Sequence, residues 1–163
     1  MTTELWNLYP YIAPGARAML FVDGENLALR YKAMRRTDNE QVADTHGIKV
    51  RYREDVAVWA DHLAPENRQL PHTTLLRKYY YTSMAGTNEA REEVADWLRQ
   101  QGGFEAPRVF PKSSKTRGSK QVDISLCCDM LTHAARRHYD VAILVAGDGV
   151  WRDDLDESAR RSR

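Results

Sequence analysis

Apolar positions along the chain fall into short dense runs separated by polar stretches. The first run, Ala18 to Val22, stops abruptly at Asp23, Gly24, Glu25 and Asn26, as a buried strand does when it ends in a polar loop. Asn26 to Arg36 has helical composition and closes on a basic pair that suits a helix C-terminus. Thr37 to Arg53 is polar and mixed, and reads as a loop. Val58, Trp59 and Leu63 then recur at roughly helical spacing, which predicts a helix over Glu54 to Ala64 stopped by Pro65. Thr73 to Thr82 is the clearest strand, with Leu75, Tyr79 and Tyr81 expected on one face and Leu76, Lys78 and Tyr80 on the other. Thr87-Asn88-Glu89 opens a helix over Glu89 to Gln101 whose stripe is Val94, Trp97 and Leu98, and Gly102-Gly103 ends it. Val109-Phe110 reads as a short strand and Val141 to Ala146 as the last one. Between them Gln121 to Arg137 reads as a helix with Ile124, Cys127 or Cys128, Leu131 and Ala135 turned inward.

Strands alternating with helices imply an α/β protein, a three-layer α/β/α sandwich with a mostly parallel central sheet. At 163 residues the chain suits a single domain over 1–163, with residues 1–17 as an N-terminal arm carrying Trp6, Tyr9 and Tyr11. Apolar residues at 42% and charged residues at 29% fit a soluble globular chain, and no apolar run is long enough to span a bilayer. The N-terminus lacks a basic start followed by an apolar block, and the adjacent Cys127 and Cys128 form neither a disulfide framework nor a metal-binding spacing. The expectation is a cytoplasmic protein with no membrane partner; a homodimer stays open.

Charge changes the picture locally. The net charge of +1 gives no global attraction to a polyanion, but Lys112 to Lys120 holds Lys112, Lys115, Arg117 and Lys120 with no acid. That stretch is either a solvated face or a phosphate-holding loop directly before Asp123. In open parallel sheets the ligand crevice lies beyond the carboxyl ends of the strands. Two strand ends deliver carboxylates there: Asp23, and Asp148 in a Gly-Asp-Gly turn. Each also has a bland explanation, since aspartate is an ordinary turn former and, at position 123, suits a helix start on dipole grounds alone.

Three segments in order, VDGEN at 22–26, KQVDISLCCDML at 120–131 and YDVAILVAGDG at 139–149, together resemble the NYN domain, the LabA-like branch of the PIN-like ribonucleases. The resemblance covers Ala18 to Gly149 and implies a PIN-like fold and a metal-dependent endoribonuclease with acids clustered at one sheet edge. Position by position, it implies catalytic roles for Asp23, Asn26, Asp123 and Asp148, the three aspartates holding the metal. Residue chemistry agrees: clustered carboxylates repel until a divalent cation neutralises them, and Mg2+ or Mn2+ prefers such hard oxygen ligands. RNA, single-stranded or structured, is the expected partner, along Lys112, Lys115, Arg117 and Lys120. Asp129 sits about 120° around the helix from Asp123 and reads as an acid outside the metal's own ligands or a structural one. Glu25 is expected to face solvent, and His133 and His138 to be structural. The family pattern breaks at Val150, where a further acid is expected, and residues 150–163 carry acids and arginines with no final strand, as a truncated end would. Asp153 or Asp154 could replace the missing acid by turning back into the site. The alternatives are a catalytically weakened RNA-binding or protein-interaction module, which Val150 favours, and a small phosphohydrolase acting on nucleotides, which needs a closed pocket.

Overall fold

The computed structural model describes residues 12, 14–37, 50–64, 72–112 and 117–147, and in it the first apolar run forms β1 (Arg17–Asp23). Helix α1 (Gly24–Thr37) follows without a break, then an antiparallel ribbon of β2 (Val50–Arg53) and β3 (Ala57–Ala60). The remaining elements are β4 (Thr74–Met84), α2 (Asn88–Gly102), β5 (Ala106–Pro111), α3 (Arg117–Ala135) and β6 (Val141–Val145). Four strands make one sheet in the order β5-β4-β1-β6, every neighbouring pair parallel. β1 lies inside this sheet and is covered on both faces, which is why its sequence is apolar without alternation.

Two cores sandwich the sheet. On one face Leu20, Val22 and Tyr80 pack with Trp59 of β3, with Val94 and Leu98 of α2, and with Phe104. On the other, Met19, Phe21, Tyr79 and Tyr81 pack against Val122 and Leu126 of α3. The expected architecture is thus observed, helices flanking a parallel sheet. Thr87 caps α2 by accepting from the Ala90 N–H, and Gly103 closes it in the left-handed conformation, at φ 62°. Most of the arm expected over residues 1–17 lies outside the described residues, as do most of the loop expected over 37–53 and everything from residue 148 onward.

Four expectations are corrected. Residues 54–64 hold not a helix but strand β3 and a 3-10 turn, Asp61–Leu63. All four β3 residues are buried, and Thr82 Oγ1 and Tyr80 OH, both on β4, donate to Val56 O and Val58 O. A short apolar run like this one does not distinguish helix from strand by spacing alone. The loop reading of 37–53 ends in β2, whose partner is β3. On β4, Leu75 packs with Tyr80 rather than with Tyr79 and Tyr81. The register slips there, Ala18 pairing with Leu75 but Met19 with Arg77, so one extra residue reverses the faces. Finally, α3 turns Val122 and Leu126 inward, leaving Ile124 and Leu131 at 62% and 70% exposure and both cysteines free at the surface. β5 is longer than Val109-Phe110 and includes Pro107 and Pro111, which an edge strand tolerates.

One exposed pair fastens the start of β1 to the start of β6. The Arg17 guanidinium donates to both oxygens of Asp140, Nε to Oδ2 at 3.0 Å and Nη2 to Oδ1 at 2.9 Å, and the Arg17 N–H adds a third bond at 2.8 Å. The Arg17 side-chain bond foremost, then its backbone N–H, holds the Asp140 carboxyl down to about 2 from its ordinary 3.8. A carboxyl depressed on folding stabilises the protein above its unfolded value near 3.8, and that contribution is lost as pH falls towards 2. Arg17→Gln should therefore lower the melting temperature at pH 7 but leave a smaller gap from the parent near pH 2, read by circular dichroism. An equal gap at both pH values would show that the pair adds no pH-dependent stability.

Candidate active site

The chain path defines where a crevice opens. From β1 it moves outward to β4 and β5, with the first core on the side of α2, and it returns through α3 on the other face to place β6 against the far side of β1. Right-handed crossovers require that change of face when the direction reverses. Strand order reverses between β1 and β6, so the ligand crevice of an open α/β sheet is expected at their carboxyl ends.

Asp23 is the last residue of β1, one step beyond the Val22–Val145 pairing. It is 8% exposed, and its Oδ1 accepts the Asn26 N–H at 3.0 Å, so it caps α1 as well as standing at the crevice. The strand's alternation puts Asp23 in phase with Phe21, whose cluster includes Val122, the neighbour of Asp123. Asp123 itself is exposed on the N-terminal half of α3, the end that follows the carboxyl end of β5. Gly24 is needed between Asp23 and Glu25, because a Cβ there would lie 1.9 Å from a Tyr80 ring carbon. That ring cannot yield: its hydroxyl donates to Val58 O at 2.9 Å and accepts the Val58 N–H at 3.0 Å. Burial pushes the Tyr80 phenol well above its ordinary range.

The end of β6 is drawn onto the same place. A side chain at Gly147 would meet Arg30 Cγ at 2.8 Å and the Asn26 carbonyl oxygen at 3.0 Å, so the Gly147 backbone runs against the first turns of α1. Glycine allows this approach, and the next residue is Asp148, which lies outside the described residues. Among the described residues no three Asp, Glu, His or Cys side chains gather as a metal-holding group. The donor chemistry nonetheless fits a hard divalent cation, since Asp23 brings a nearly buried carboxylate to the crevice mouth.

Glu25 is corrected: it is 5% exposed and does not face solvent. Its carboxylate accepts Ser83 Oγ at 2.9 Å and pairs with Lys112 Nζ at 2.9 Å. Lys112, expected along RNA, thus begins the basic segment as the partner of a buried acid, and its N–H bonds Met84 O at 2.9 Å. Lys120 is exposed on α3; Lys115 and the side chain of Arg117 lie outside the described residues. Asp129 accepts Tyr81 OH at 2.9 Å and pairs with Arg108 Nε at 2.9 Å. Burial, then the bond to Asp129, pushes the Tyr81 phenol up. His133 and His138 face each other, Nδ1 to Nδ1 at 2.8 Å, and burial chiefly lowers the His133 pKa. Tyr79, Tyr80 and Tyr81 are all buried in the cores, so none presents a ring for stacking.

The parallel four-stranded sheet flanked by helices is that of a PIN-like α/β sandwich. Residues 17–162 match the NYN domain, and the chain belongs to the NYN domain family. No curated protein and no solved structure matches it. No helix among the described residues is long and apolar enough to cross a membrane.

Proposed function

We propose that this chain is a metal-dependent endoribonuclease of the LabA-like branch, hydrolysing RNA phosphodiester bonds at the carboxyl edge between β1 and β6. The observation that supports this reading is the convergence of Asp23, which ends β1, and Gly147, which follows β6, on the first turns of α1. Asp23, Asp123 and Asp148 would hold Mg2+ or Mn2+. When bound, such a cation supplies an acidified water and neutralises charge on a phosphodiester. The chain's own residues do the rest. Asn26 fixes the Asp23 carboxylate through its N–H. Lys112, oriented by Glu25, with Lys115, Arg117 and Lys120 beyond it, offers cations to the RNA backbone. Their attraction is salt-sensitive and independent of sequence.

Val150, where the family pattern calls for an acid, favours a second reading: a module that binds RNA or a protein without cutting. One assay separates the two. A labelled single-stranded RNA incubated with the protein should be cleaved with manganese or magnesium and left intact with EDTA. RNA binding without cleavage in any metal would make the non-cutting module correct.

A further inference from the structure

Arg30 follows Asn26 by four residues and so shares its face of α1, one turn on. Its stem lies beside the Gly147 backbone, immediately before Asp148. The residue is exposed, and among the described residues its guanidinium forms no ion pair. Lys32, two residues further along the same helix, is by contrast held by Asp55 at 2.6 and 2.7 Å. A cation with no ion pair among the described residues, close to the strand end where Asp23 stands, is what a phosphodiester approaching that acid requires, because a carboxylate alone repels it.

We propose that Arg30 binds an RNA phosphate on the β6 side of the site. This rests on the ribonuclease reading and extends it. Lys112 leaves the end of β5, Asp23 ends β1, and Arg30 stands at the end of β6. Three strand spacings separate β5 from β6, roughly 14 Å. The RNA backbone therefore crosses the sheet edge, held by Lys112 on one side of the scissile bond and by Arg30 on the other. Guanidinium suits the second position because its planar fork takes two phosphate oxygens at once.

The test is equilibrium binding of a fluorescent single-stranded RNA across a salt series, with calcium in place of magnesium, for the parent, Arg30→Gln and Arg30→Lys. Arg30→Gln should bind about tenfold more weakly. Its log-affinity against log-salt slope should flatten by about 0.7, the loss of one single-strand phosphate contact. Arg30→Lys should keep the parent slope, and all three proteins should melt at the same temperature. An unchanged slope in Arg30→Gln overturns the assignment while leaving the ribonuclease reading intact. A parent that neither binds nor cuts RNA overturns that reading and the role of Arg30 with it.

Discussion

Asp23→Asn should abolish RNA cleavage while leaving the fold in place. The substitution keeps the side-chain oxygen that caps α1 through the Asn26 N–H, so the first turn of the helix loses little. What it removes is the negative charge that, on the proposed function, a divalent cation would need at the carboxyl ends of β1 and β6. Loss of one preorganised electrostatic partner of the transition state lowers turnover by about 10²–10³-fold, and a cation that no longer binds lowers it further. Initial rates in manganese, compared with a melting curve of the same preparation, measure both halves. A variant that cuts at the parent rate would remove Asp23 from the site.

Glu25→Ala should destabilise the fold strongly. It leaves the Lys112 ammonium and the Ser83 hydroxyl without the carboxylate both engage, and the Glu25 side chain is 7% exposed. Breaking a fully buried pair costs about 3–5 kcal/mol. The Lys112 side chain is 29% exposed, so water recovers part of that, and the loss expected is roughly 2–3 kcal/mol. For a domain of this size that is a fall of about 5–10 °C in melting temperature. Glu25→Gln, which keeps an oxygen facing Ser83 and Lys112, should lose roughly half as much. Equal melting temperatures for Glu25→Ala and the parent would show that the pair contributes nothing to stability.

The parts legible in the sequence were those fixed by local chemistry. β1 announced itself because a strand buried on both faces must be apolar throughout, and Asp23 because the run breaks on a charge. Asp148 was noticed as the second strand-end carboxylate and Asp123 gained its role through the family motifs; the folded chain has Asp123 exposed on α3. Features that depend on distant partners were not legible. Glu25 could be placed inside only by knowing that Lys112, 87 residues away, meets it. The face of α3 was misjudged because both sides of that helix carry apolar residues: Val122 and Leu126 within, Ile124 and Leu131 without. Periodicity finds a stripe, but choosing between two stripes takes the sheet beneath. The Arg30–Gly147 contact was hidden for the same reason, since a glycine in a Gly-Asp-Gly turn reads as a turn former until the helix it touches is known.

The pairing of β1 with β6 also sets an order of events. Ala18 stands opposite Val141 in the sheet, and Arg17 reaches Asp140 over a separation of 123 residues. Closing so long a loop before any local reward is slow, and sheets of this topology are among the slower to form. On a ribosome, β1 would wait with one edge unpaired while the rest of the chain is made. The sheet edge beside Asp23 is thus completed late, so a half-made chain carries that aspartate before it carries the strand that flanks it.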